Sequence, residues 1–309
     1  MPHVSRAALL ESFKAAGIEL GETLFVHSAL SRIGEVEGGA AAVVWALREA
    51  VGETGTIVMP AFTPAADYIA AIAEGRTLDL RDSRSCTGKI TEAFRLLTGT
   101  LRSSHPFCSC VAAGPQARFI VAGHASDARI CHKDSPLARV LELGGKVVAL
   151  GSDVDTVSLY HCVEDLWDGY PLHPYDPPFT GTYIDPDGRH VTRELLRHTQ
   201  TLAKYRIDHP HGEWLRTQLR RYFTDCGLLR PFQLGCATAW TMDARRLFDE
   251  MCALAGCGVT IYSKPSVEVA ETLLAARKAE RHRPAAIPLA DPCNGRIVPG
   301  CECEVIGKA

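Results

Sequence analysis

A strand, a helix and a second strand follow one another near the start of this chain, and that order limits the fold more than any other feature. "TLFVHSAL" from Thr23 is rich in β-formers and ends in small residues, "GGAAAVVWALREAV" (38–51) has a helical pattern, and "GTIVMPAF" (55–62) reads as a buried strand. A βαβ unit of this kind favours a largely parallel sheet covered on both faces, which sets the fold class as α/β. A helix over about 5–16 precedes the unit. A helix in "TGKITEAFRLLT" (87–98), an extended "SSHPFCSCVAAG" (103–114), a helix over 136–143 and a strand "KVVALG" follow it. The helix over 136–143 is well punctuated, with Ser135 at the N-cap, Pro136 at the first helical position and Gly144 after its end.

With 309 residues, 46% of them hydrophobic, the chain can bury a large core. Its net charge of −3 gives no general attraction to nucleic acid or to an anionic membrane. The first twenty residues are interrupted by charges and lack the apolar core of a signal peptide, and no stretch approaches the roughly 20 apolar residues of a membrane span. A cytoplasmic location is therefore expected. Twelve cysteines in this length fall below the density of a disulfide scaffold, so reduced thiols are expected. From Gly169 the texture changes to "GYPLHPYDPPFTGTYIDPDGRHVTREL", dense in Pro and Gly, with "DPDG" marking a hairpin turn. The expected division is a core over 1–168, a subregion over 169–265 completing the same domain, and a C-terminal helix and cysteine-containing tail over 266–309.

Ligands of open α/β sheets bind beyond the carboxyl ends of the strands. Three polar stretches fit such a position, and each contains a histidine: "HSALS" (27–31), "SSHPFCSC" (103–110) and "DTVSLYHCVEDLWDGYP" (155–171). Small residues in the first would let a ligand approach the backbone, although an ordinary strand-to-loop turn reads the same way. His105 in the second also fits a core histidine. Wound as a helix, the third puts His161, Glu164, Asp165 and Asp168 on one stripe, opposite Leu159, Val163 and Leu166. An imidazole with a carboxylate three residues on suits a general base, because the carboxylate fixes the tautomer and stabilises the protonated ring. A solvated helix face has the same pattern.

Several segments in order and in register narrow these alternatives. "LGETLFVHSALSRIGEVEGGAAAVVWALREAVGETGTIVMPAFT", "TGKITEAFR", "SSHPFCSCVAAGPQA", "SPLARVLELGGKVVALG" and "HCVE" resemble the aminoglycoside 3-N-acetyltransferase family, closely over about residues 1–170 and more loosely to about 262. The resemblance implies an acetyl-CoA-dependent N-acetyltransferase with a three-layer α/β/α arrangement around a mixed, largely parallel sheet, distinct from the GNAT fold. It makes His161 the general base oriented by Glu164; were the stripe only a solvated helix face, His105 would be the next candidate base. His27, Ser28, Ala29, Leu30, Ser31, Ser103 and Cys108 would line the coenzyme A channel. Asp165 and Asp168 would face the acceptor. The partners implied are coenzyme A and a small-molecule amine; a homodimer stays open, and no resident metal is called for. Family members that acetylate aminoglycosides often carry a second histidine where this chain has Cys108, and no acidic run follows Asp168, so a secondary-metabolite amine is weighed beside an aminoglycoside.

Two alternatives remain. Cys108 or Cys110 could carry the acyl group covalently with His105 as base. In an extended segment, however, residues three apart face opposite ways and lie about 10 Å apart along the chain. Separately, Cys293, Cys301 and Cys303 could supply three thiolates to a structural zinc, though their spacing is not a usual zinc pattern.

Overall fold

The computed structural model describes residues 3–262 and, beyond them, Ala275. Cys293, Cys301, Cys303 and the expected segment 266–309, Ala275 apart, lie outside the described residues.

The predicted βαβ unit forms from the strand Thr23–Ser28, the helix Gly39–Val51 and the strand Thr56–Pro60. Thr23–Ser28 pairs in parallel on both sides, with Thr56–Pro60 and with Lys146–Leu150. These three strands are the centre of a seven-stranded mixed sheet. The parallel share is smaller than the sequence pattern led us to expect. Ala237–Asp243 and Arg230–Leu234 extend one side as an antiparallel pair, and Cys110–Ala113 and Leu101–Arg102 do the same on the other. Short connections make Arg230–Leu234 and Ala237–Asp243 one hairpin and Leu101–Arg102 and Cys110–Ala113 another, and each hairpin lies antiparallel against the edge of the parallel centre.

Alternation along the central strands divides the interior into two cores. Leu24, Val26, Ile57, Met59, Val148 and Leu150 face one core, which holds Leu9 and Phe13 of the helix Arg6–Ala15 and Val43, Val44 and Leu47 of Gly39–Val51. Phe25, Val58, Val147 and Ala149 face the other, covered by Pro136–Glu142, Tyr160–Leu166, Glu213–Asp225 and Ala244–Gly256. Helices on both faces of the mixed sheet give the three-layer α/β/α fold. The caps read from sequence are present: Ser135 Oγ accepts from Ala138 N at 3.3 Å with Pro136 in the first turn. The "DPDG" turn joins Phe179–Ile184 to His190–Leu195 in an antiparallel pair, to which Leu78–Asp79 adds a third strand. Cys108, Cys110, Cys131 and Cys162 near the site are free thiols.

Three local expectations change. The segment 103–114 is not continuously extended: after Leu101–Arg102 the chain turns over 106–108 and returns as Cys110–Ala113. Phe107 drives this turn, since its ring is buried in the core against Tyr68 and His105. The stripe over 161–168 is not one helical face, because the helix Tyr160–Leu166 ends before Asp168 and Trp167 is already extended. Gly169 explains the stop. A Cβ there would lie 2.6 Å from the Trp167 ring, so the chain folds back over the indole only at a glycine. The helix over 87–98 is shorter than read, Lys89–Arg95.

Candidate active site

The site lies beyond the carboxyl ends of Thr23–Ser28 and Lys146–Leu150, where the parallel strands leave their last carbonyls to the loops. Alternation sends His27 to the same side as Phe25, whose ring it meets edge-on at 5.0 Å. From there His27 Nε2 accepts a hydrogen bond from Ser158 N at 3.3 Å, three residues before His161. Burial lowers the His27 pKa to about 3, which keeps the ring neutral and its lone pair on the Ser158 amide. His27 thus anchors the start of the helix that carries the candidate base. Ala29 N donates to Leu150 O at 2.9 Å, tying the "HSALS" loop to the same strand end. Leu30 and Ser31 begin a single helical turn, and Ser28 Oγ is buried without a partner.

His161 Nδ1 and Glu164 Oε2 are 2.9 Å apart, and the carboxylate is fully buried while the imidazole is 19% exposed. His198 brings a second imidazole to the same oxygen, with Nε2 at 2.8 Å. The two rings lie 4.2 Å apart, and His198 stacks on Tyr175 at 4.9 Å. A carboxylate only accepts, so both ring nitrogens donate, and the His161 lone pair is on Nε2. Burial alone would raise the Glu164 pKa, but the two histidines outweigh it and hold the carboxyl well below its usual range. The His198 pKa is lowered, chiefly by burial and then by His161 beside it, against the pull of Glu164.

Asp165 lies 100° around the helix from Glu164 and is turned to the interior. Its carboxylate accepts from Cys131 N at 2.7 Å and from the Tyr175 hydroxyl at 2.8 Å. Burial raises its pKa to about 6, partly offset by those two donors. Asp165 therefore positions Tyr175, and through the stacked ring His198, instead of facing an acceptor. Asp168, off the helix, does not join the pair. Around Glu164 stand the buried phenols of Tyr170 and Tyr262, whose pKa values burial and the carboxylate push far up. Arg206 holds Asp208 through two contacts of 2.6 and 2.7 Å.

The "SSHPFCSC" residues have other work. Ser103 Oγ accepts from Cys110 N at 2.8 Å, and its hydroxyl donates to His124 Nδ1 at 2.8 Å, because His124 Nε2 must donate to Ile130 O. His105 Nδ1 accepts from Cys108 N at 3.1 Å, which leaves its proton on Nε2, a buried atom with no partner. Burial keeps His105 neutral, with the neighbouring His124 adding to the effect. A ring whose lone pair holds a backbone amide is not poised as a base for Cys108, and burial pushes that thiol far above its ordinary pKa. Thiolate chemistry at Cys108 or Cys110 is disfavoured on both counts.

A partly open histidine held by a buried glutamate at the strand ends of a mixed α/β sheet is a geometry suited to taking a proton. The family model for aminoglycoside 3-N-acetyltransferase matches residues 25–255. Aminoglycoside N(3)-acetyltransferase VII of Streptomyces paromomycinus is 31% identical over 264 residues, covering 80% of this chain and 89% of that enzyme. Aminoglycoside N(3)-acetyltransferase VIII of Streptomyces fradiae is 38% identical over 175 residues, covering 52% of this chain and 60% of the enzyme, so that match spans about three fifths of the relative's length. In fold, the chain is similar to a solved structure titled "AAC-IIIb binary with CoASH", with a TM-score of 0.68 and 24% identity over 92% of this chain and 100% of that one. The chain belongs to the aminoglycoside 3-N-acetyltransferase family.

Proposed function

We propose that this protein transfers an acetyl group from acetyl-CoA to an amine of a small molecule of the aminoglycoside class, with His161 as general base and Glu164 as its orienting carboxylate. The observation that carries the reading is the 2.9 Å contact between His161 Nδ1 and the buried Glu164, in a chain of this family. The neutral amine attacks the thioester carbonyl, His161 Nε2 takes the proton released as the C–N bond forms, and collapse breaks the C–S bond. The proton then leaves with the coenzyme thiolate or through solvent. Glu164, held as a carboxylate, stabilises the imidazolium without accepting its proton, and His198 locks the carboxylate in place.

Residues 1–168 would supply the base and the coenzyme side, with the Ser28–Ser31 loop as one wall, and residues 169–265 the acceptor side. Two carboxylates near the base are already committed, Asp165 to Tyr175 and Cys131 and Asp208 to Arg206, while Asp168 stands exposed just after the helix. A polycationic acceptor would therefore find only part of the local negative charge available, which supports testing less charged amines alongside aminoglycosides.

The experiment is a panel of aminoglycosides and simpler amines incubated with acetyl-CoA, following release of free thiol. Thiol release with at least one amine is expected, and His161→Ala should lower kcat by about 10²–10⁴ while leaving coenzyme A affinity little changed. No turnover on any amine together with no binding of coenzyme A would overturn the reading.

A further inference from the structure

A general base needs one oriented imidazole, yet Glu164 receives two, both on Oε2. The facing atoms of His161, Glu164 and His198 all lie within 4.8 Å of one another. The other carboxylate oxygen, Oε1, is buried, and the Tyr262 hydroxyl stands beside the carboxylate. We propose that His161, Glu164 and His198 form a binding site for one divalent transition-metal ion of the zinc class, and that metal occupancy and base catalysis exclude each other.

Two imidazoles and a carboxylate are the donor set of three-ligand zinc sites, which leave a fourth position open. At metal–ligand distances of about 2.0–2.2 Å a tetrahedral site spaces its ligands about 3.3 Å apart. The present nitrogen–oxygen separations of 2.8 and 2.9 Å must therefore open slightly. His198 can yield, since it sits in the loop between His190–Leu195 and the short helix Gln200–Ala203, and His161 is on the partly open side. Tyr175 stacked on His198, and Asp165 behind Tyr175, limit the movement to small rotations.

The exclusion follows from the tautomers. In the metal-free pair His161 carries its proton on Nδ1, toward Glu164, and keeps the Nε2 lone pair for the amine. Ligation through Nδ1 needs that lone pair instead, so the proton moves to Nε2. His198 likewise shifts its proton from Nε2 to Nδ1. No proton is released when both rings are neutral, and one is released for each ring that was protonated. The metal form thus presents an N–H where the base must accept a proton. This second half rests on the acetyltransferase reading; the binding itself does not.

The test is titration of the full chain with Co²⁺, read by visible and near-ultraviolet absorption, followed by displacement with Zn²⁺. Expected is one equivalent bound with ligand-field bands and no thiolate charge-transfer band, because the ligands are nitrogen and oxygen. His198→Gln, which keeps a donor toward Glu164 but removes the ligand nitrogen, should weaken binding at least tenfold, with an unchanged melting curve as the check on folding. Absence of saturable binding, unchanged binding in His198→Gln, or a thiolate band in the one-equivalent complex would each overturn the site. With an active acceptor, Zn²⁺ should stop turnover and a chelator restore it. Metal bound with turnover intact would overturn the exclusion. Should no acceptor be found, the Co²⁺ spectrum still decides the site.

Discussion

Burial penalises the charged form of both Glu164 and Cys108, and the outcomes are opposite. At Glu164 the desolvation penalty is outweighed by two imidazoles, so the charge survives and can orient His161. At Cys108 no comparable partner compensates, and the thiol stays protonated despite Arg206 in the neighbourhood. Cys108→Ala should therefore retain most of the turnover, losing only what a small void costs. Mass spectrometry after incubation with acetyl-CoA should show no acyl adduct on the wild-type thiol. Loss of nearly all activity, or an adduct on Cys108, would restore the covalent route. The pair His161–Glu164 was legible in sequence because i and i+3 on a helix are neighbours whatever the rest of the chain does. His198 was not. It arrives 34 residues from Glu164, through an isolated bridge to Tyr175, and nothing in "LRHTQT" marks a site.

Among the elements, the central strands and the capped helices followed from periodicity and turn chemistry, which are local. Two of the failures each depended on one aromatic ring. Phe107 pulls the extended segment into a turn, and Trp167 with Gly169 ends the site helix before Asp168. Asp165 was misjudged for a related reason. A stripe drawn on a helical wheel cannot show that Cys131 N and Tyr175 wait on the inner side of it. The Trp167–Gly169 fold-back makes a prediction at this scale. In Gly169→Ala the new Cβ would fall 2.6 Å from the indole, and the same ring lies 3.4 Å from a Cβ built at Gly256 of the helix Ala244–Gly256. The ring has little room to retreat. Overpacking of this kind costs about 1–3 kcal/mol, measured as a lower urea midpoint with unchanged slope. Because Trp167 directly follows the helix bearing His161 and Glu164, kcat should fall more than the affinity for coenzyme A. An unchanged urea midpoint would show that the turn relaxes freely and does not hold the helix.

Across the whole molecule, the core on the Phe25 side of the sheet holds histidines that the proposed chemistry does not protonate. Burial lowers the pKa of both His27 and His124 to about 3, and His105 is also well below its ordinary value. Each accepts a hydrogen bond on a ring nitrogen, from Ser158 N, Ser103 Oγ and Cys108 N respectively, so protonation would break a contact as well as bury a charge. The unfolded chain takes up these protons near pH 6.5 and the folded one does not, so the unfolded state binds more protons between about pH 3 and 6.5. Stability must then fall as pH falls through that window, with a limiting slope of about 1.4 kcal/mol per pH unit for each such histidine. Asp165 works against them. Its pKa is raised to about 6 in the fold, so between about pH 4 and 6 the folded state holds the extra proton, and this group alone would favour the acid side. Three histidines outweigh one carboxyl, and the net expectation is a lower urea midpoint at pH 5 than at pH 7. His124→Gln should make the dependence shallower, because the amide oxygen can accept from Ser103 and its NH₂ can donate to Ile130 without titrating. Asp165→Asn should make it steeper, by removing a group that opposes it. A stability profile flat from pH 7 to 5, or one steepened by His124→Gln, would show that these rings do not stay neutral in the folded core.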